Sequence, residues 1–119
     1  MSTAFPAPDF DVDAVLADPA HPVVLFSLSW CSFCRSAKQL LDQLQISYID
    51  HELDRGSFLE PALQQRVRGR LEELTGSNTL PQLFIGGESI GGYTDTASAL
   101  RTGRLATVLT RHGVSFHPV

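Results

Sequence analysis

"PVVLFSLSWCSFC", residues 22–34, decides how this chain reads. Its first half is a short, continuous run of β-branched, aliphatic and aromatic side chains, the pattern of a strand buried on both faces. The run leads straight into Cys31 and Cys34, the only 2 cysteines present. Beyond them Ala37, Leu40, Leu41 and Leu44 recur at i, i+3, i+4 and i+7, marking one face of a helix that begins around Cys31. The thiol pair therefore stands at a strand-to-helix junction.

Such a pair can be half of a zinc site, two small core residues or a redox centre. Structural zinc needs four ligands, and the remaining candidates, His21, His51, His112 and His117, are scattered along the chain. The redox reading fits the position better. A cysteine at a helix N-terminus meets unpaired backbone N–H groups and the positive end of the helix dipole, and both favour a thiolate. Cys31 is then the nucleophile. Cys34, one turn further in and less exposed, is the thiol that attacks a mixed disulfide on Cys31.

Composition sets the frame around this site. With 119 residues, 43% of them hydrophobic and 18% charged, the chain suits one compact domain with a real core. A net charge of −4 and the lack of any lysine–arginine run argue against a nucleic-acid partner. The N-terminus has neither a basic n-region nor an apolar h-region, and no stretch approaches a membrane span. The expectation is a cytoplasmic protein, where a cysteine pair is catalytic or metal-binding rather than a clamp.

Residues 1–9 are expected to fray, and "DFDVDAVLAD" to form a short helix entered at Asp9 or Asp11. "ISYIDHEL", from Ile46, predicts a second strand and "DRGSFLEP" a loop. Leu63, Val67, Leu71 and Leu74 trace a second helix ending at Gly76. "PQLFIGGESIGG" predicts a hairpin turning at Gly86 and Gly87. A third helix runs from near Thr94 toward Gly103, and "RLATVLTRH" adds a turn or two before Gly113. The order β-α-β-α-β-β-α predicts an α/β domain, with a four-stranded mixed sheet flanked by helices. The expected division is an N-terminal extension (1–21), a domain (22–113) and a C-terminal tail (114–119).

"VVLFSLSWCSFC" together with "LEELTGSNTLPQLFIGGESIGGYTD" resembles the glutaredoxin family. The motifs are Cys-x-x-Cys after the first strand, Thr79-Leu80-Pro81 in place of Thr-Val-Pro, and Gly91, Gly92 and Asp95 as Gly-Gly-x-x-Asp. The resemblance implies a thioredoxin fold and a glutathione-dependent thiol–disulfide oxidoreductase with a redox-active disulfide. It implies that Pro81 is cis and lies against the cysteines, leaving the Leu80 backbone open to a peptide-like substrate. Without the resemblance, an ordinary trans proline at a strand edge is the simpler reading. Thr79, Leu80, Pro81, Gly92, Thr94 and Asp95 are implied to hold glutathione, with helix N–H groups for its α-carboxylate and Asp95 for its α-amino group. Thr94 or Asp95 can serve as a helix cap at the same time.

The chain departs from the family at two basic positions. Leu28 stands where a lysine is usual, and Asn78 where an arginine is often found. Arg68 falls where members face the glycine carboxylate of glutathione, and its guanidinium can take a carboxylate bidentately. Arg66 and Arg70 read as a solvated helix face. Ser32-Phe33 replaces the usual Pro-Tyr, so an additional N–H or the Ser32 hydroxyl can point at Cys31. Trp30 packs beside the cleft to exclude water, or is a half-buried packing aromatic.

The resemblance implies a dithiol reductase of protein–glutathione mixed disulfides and other disulfides, expected to be monomeric, with glutathione as co-substrate and no metal. The alternative is a dimer holding a [2Fe–2S] cluster through Cys31 of each protomer and two glutathiones, as some members with serine at position 32 do.

Overall fold

The computed structural model describes residues 10–118. Its elements are α1 (Val12–Leu16), β1 (Val23–Ser27), α2 (Ser32–Gln43), β2 (Ile49–Glu52), α3 (Pro61–Thr75), β3 (Gln82–Ile85), β4 (Glu88–Gly91), α4 (Tyr93–Thr102) and α5 (Arg104–Arg111). The strands form one sheet in the order β2-β1-β3-β4. β1 runs parallel to β2 and antiparallel to β3, and β3 and β4 are antiparallel. This is the expected mixed sheet of a thioredoxin-like fold.

Strand pleating divides the core in two, because successive side chains point to opposite faces. Val23, Leu25, Leu83 and Ile85 join Ala37, Leu40 and Leu41 of α2, Ala99 of α4, and Leu105, Val108 and Leu109 of α5. Val24, Phe26 and Phe84 meet Val12 and Leu16 of α1 and Leu63, Val67 and Leu71 of α3 on the other face. β1 is thus buried throughout, as its uninterrupted apolar run requires.

Local signals set the ends of the elements. The Asp11 carboxylate caps α1 by accepting the Asp13 N–H at 3.0 Å, whereas Asp9 and the expected fraying of 1–9 lie outside the described residues. Glu60 caps α3 from the Ala62 and Leu63 N–H groups, with Pro61 at the first helical position, and Gly76 ends the helix at φ 77°. Other boundaries differ from expectation. β2 begins at Ile49 rather than Ile46, because Gln45 takes φ 56° and the chain is still turning there. The loop after β2 contains a 3₁₀ turn, Gly56–Leu59. α5, by contrast, is the turn or two expected before Gly113, eight residues with Leu105, Val108 and Leu109 anchoring one face. Leu74 is 40% exposed, lying beyond the part of α3 that the sheet covers.

The described residues nearest both ends are packed. Phe10 meets the rings of His51 and Phe58 edge-on. Arg70 holds Asp13 with Nε and Nη2, and Arg66 Nη2 donates to the Phe10 carbonyl. Arg66 and Arg70 thus lie on a largely solvated helix face, as expected, and from it also bind the N-terminal segment. At the other end Val114 and Phe116 lie on the first core, and the His117 N–H donates to Leu44 O at 2.7 Å.

Candidate active site

Cys31 is the N-cap of α2, in extended conformation, and its Sγ accepts the Cys34 N–H at 3.3 Å. The donor found on this sulfur is thus the Cys34 amide, rather than the Ser32 group that the inner dipeptide suggests. Cys31 is partly exposed and Cys34 completely buried, which matches the expected division between attacking and resolving thiols. Burial pushes the Cys34 thiol up to about 12, helped by Cys31 and opposed by the Leu28 N–H and by Lys38.

The approach loop is clamped from below. The Asp54 carboxylate accepts the Ser29 N–H at 3.1 Å and the Ser29 hydroxyl at 2.6 Å. These hydrogen bonds hold the Asp54 carboxyl below the usual carboxylate range. The Leu28 N–H reaches Cys34 Sγ at 3.4 Å, while its side chain turns into the second core. Position 28 therefore offers the site no cation. Trp30, between clamp and thiol, is 71% exposed; nothing in the loop reaches over it, so it is neither a cleft wall nor half-buried.

Across from Cys31 lies the loop before β3. The Leu80–Pro81 peptide is cis, and the Leu80 carbonyl stands 3.9 Å from Cys31 Sγ. Gln82, only 3% exposed, organises this loop from beneath: its Nε2 donates to Ser77 O at 2.7 Å and to Thr79 O at 2.9 Å. Ser77 and Thr79 join hydroxyls at 2.9 Å. Arg68 supports the outside of the same loop, donating from Nη2 to Asn78 O at 2.8 Å.

A cleft of about 550 Å³ runs from Phe33 past Thr79, Leu80 and Pro81 to Gly91, Gly92, Thr94 and Asp95. The structure thus brings six of the seven expected glutathione-binding residues together. The seventh, Arg68, stands behind the Ser77–Thr79 wall rather than in the lining. Phe33 and Tyr93 stack at 6.4 Å across one end. Gly92 is the N-cap of α4, and Asp95 Oδ2 accepts its N–H at 3.1 Å. Gly91 has φ 109°, and a Cβ there would run into the Asp95 carboxylate. Asp95 is thus a helix cap whose carboxylate is still exposed to the cleft.

Sequence reasoning missed Gln82 and Asp54. Asp54 acts on the Ser29 backbone, which only the tertiary structure brings near, whereas Gln82 acts on carbonyls a few residues before it and is turned onto them by its burial at the start of β3, which no sequence pattern marks. His112 and His117 stand five apart, a zinc-like interval. His112 Nε2 is bound to Glu88 at 2.6 Å, and among the described residues no three His, Cys, Asp or Glu side chains gather as a metal site.

The glutaredoxin family model matches residues 23–90. Monothiol glutaredoxin-S10 of Oryza sativa subsp. japonica is 43% identical over 99 residues, covering 83% of this chain and 57% of that protein. The chain therefore spans little more than half the length of that relative. A glutaredoxin of Ricinus communis is 39% identical over 79% of this chain and 87% of its own. Among solved structures, a buckwheat glutaredoxin–glutathione complex superposes with a TM-score of 0.73 at 33% identity, covering 87% of this chain and 89% of that one. A partly exposed thiol capping a helix, a buried partner one turn on, a cis proline opposite and a matching family model lead to one conclusion: the chain belongs to the glutaredoxin family.

Proposed function

We propose that the protein uses glutathione to reduce disulfides, chiefly protein–glutathione mixed disulfides. The observation that carries this reading is the position of Cys31. It caps α2 with its Sγ 3.9 Å from the carbonyl of Leu80, and Leu80 lines a cleft that also takes in the N-terminus of α4, so a peptide tethered through sulfur to Cys31 would lie along Leu80 toward Thr94 and Asp95. Cys31 attacks the glutathione sulfur of the substrate, forms Cys31–S–S–glutathione and releases the protein thiolate. A second glutathione, or Cys34, then breaks that disulfide. The Leu80 N–H makes no hydrogen bond among the described residues and suits the glutathione backbone. The N–H groups opening α4 suit the α-carboxylate, and Asp95 the α-amino group. The buckwheat relative's complex with glutathione supports the same choice of ligand. The cycle requires a reducing compartment supplied with glutathione, such as the cytoplasm.

The test is turnover of a glutathionylated peptide. Cys31→Ser should abolish it, whereas Cys34→Ser should keep most of it, because free glutathione replaces the resolving thiol but not the nucleophile. Equal loss in both variants would refute the monothiol step. A [2Fe–2S] dimer would draw on Cys31 from two chains and on glutathione thiolates. A colourless monomer after anaerobic reconstitution with iron, sulfide and glutathione would eliminate it.

A further inference from the structure

Beneath the cysteines lies a group of charges that the cycle above does not use. Lys38 Nζ is held by Glu52 Oε2 at 2.8 Å and Asp50 Oδ2 at 2.9 Å. Asp50 Oδ1 in turn accepts the hydroxyl of the wholly buried Ser27 at 2.6 Å. Ser27 adjoins Leu28, whose N–H is on Cys34 Sγ. Burial disfavours the Lys38 ammonium, but its hydrogen bonds to Glu52 and Asp50 outweigh that, and its pKa stands above the ordinary lysine value. The cation is therefore permanent and fixed in place.

Its place matters because Lys38 follows Cys34 by four residues. Residues so spaced share a helix face, and helical side chains lean toward the N-terminus, so the Lys38 stem lies over the turn that carries Cys34. We propose that Lys38 is the positioning residue of the resolving step: held by Asp50 and Glu52, it supports the negative charge that develops on Cys34 when this sulfur displaces glutathione from Cys31. It thereby sets how often the protein closes its own disulfide instead of waiting for a second glutathione. This inference rests on the reading under "Proposed function".

The step balances without any outside oxidant. Cys34 loses its thiol proton, and its sulfur electron pair forms the Cys31–Cys34 bond. The Cys31–glutathione bond breaks, its pair leaves on glutathione sulfur, and that thiolate takes up a proton. In the free dithiol Cys31 itself opposes ionisation of Cys34. Once Cys31 carries glutathione it has neither proton nor charge, so burial is opposed only by the Leu28 N–H and Lys38. The charged group acting on Cys34 is then Lys38 on α2, itself held by Asp50 and Glu52 on β2, while Asp54 in the neighbouring loop is engaged by Ser29. Without Lys38 only the Leu28 N–H would oppose the burial of that developing charge.

The test uses 5,5′-dithiobis(2-nitrobenzoate) on the full chain. Cys31 is loaded at mildly acid pH, the pH is then raised in steps, and release of the second coloured thionitrobenzoate reports attack by Cys34. Lys38→Met should slow that release about tenfold at each pH, with loading of Cys31 unchanged. Lys38→Arg should restore most of the rate. Arg35→Met, which removes an exposed cation from the same helix, should stay within about twofold of the original. Should Lys38→Met fold poorly, Lys38→Met with Asp50→Asn removes the pair together, and the same slowing is expected. Release at the original rate in a folded Lys38→Met variant would overturn the proposal, as would a Lys38→Arg rate as slow as that of Lys38→Met. The assay contains no glutathione, so its failure counts against Lys38 alone, while loss of peptide turnover in Cys34→Ser counts against the glutathione reading.

Discussion

Replacing Gly91 by alanine tests whether the α4 end of the cleft is built as described. Two costs are legible. At φ 109° an L-residue leaves its allowed regions, which costs about 1–3 kcal/mol. The added Cβ also overlaps the Asp95 carboxylate, which must leave the Gly92 N–H, and losing a helix cap costs about 1 kcal/mol. The sum is roughly 2–4 kcal/mol, a large part of the ~5–15 kcal/mol that holds a domain together. For a domain of this size the melting temperature should fall by about 10–20 °C. Gly103 provides the control: its φ is 84°, yet a Cβ there meets nothing within 4 Å, so Gly103→Ala carries only the backbone cost. Thermal and urea melts of both variants, repeated with Asp95→Ala, separate the two contributions. If Gly91→Ala and Gly103→Ala melted alike, or if Asp95→Ala left the penalty at Gly91 unchanged, the cap–glycine argument would be refuted.

Three further outcomes are expected. Arg68→Ala should weaken glutathione binding about tenfold by calorimetry, and Arg66→Ala and Arg70→Ala much less, since only Arg68 braces the Asn78 carbonyl in the cleft wall. Arg70→Ala and Asp13→Ala should each lower stability slightly, and together no more than either alone, because the two side chains act on one another. Burial holds His51 below the ordinary imidazole value of about 6.5, so under mildly acid conditions the unfolded chain takes up a proton that the folded one refuses. Stability is then full above that pH and declines below it, and the urea midpoint of His51→Leu should show a shallower decline.

The parts of this fold that could be read in advance are those where one element carries its own periodic signal. Ala37, Leu40, Leu41 and Leu44 share a helix face, and all four are buried. The glycines of the hairpin and of the α4 entry likewise mark backbone that turns where it stands. Leu74 keeps the α3 spacing yet is exposed, because periodicity reports which way a side chain points and not whether anything lies there. Trp30 shows the same limit: its ring is apolar, but no neighbour in the fold covers it. Ile46 is buried without belonging to a strand, so an apolar pattern alone placed the start of β2 too early. Of the candidate site, the cysteines and the Thr-Leu-Pro and Gly-Gly-x-x-Asp segments were visible because each is contiguous. Asp54 and the Arg70–Asp13 pair were not, since each acts across a gap that only folding closes, and Gln82 was not because burial, rather than any pattern of neighbours, turns it onto the Ser77 and Thr79 carbonyls.

The docking of the first helix bears on how separable the family module is. Val12 and Leu16 cover the outer core face, Phe10 closes over His51 and Phe58, and two arginines of α3 secure the segment. A protein shortened to begin at Pro22 would keep the whole redox centre while laying bare aliphatic and aromatic surface on the side away from the cleft. Such a patch invites self-association. For this chain, catalytic sufficiency and colloidal solubility would then be met by different lengths of polypeptide, and a shortened form that turned over substrate yet precipitated would reveal where the two part.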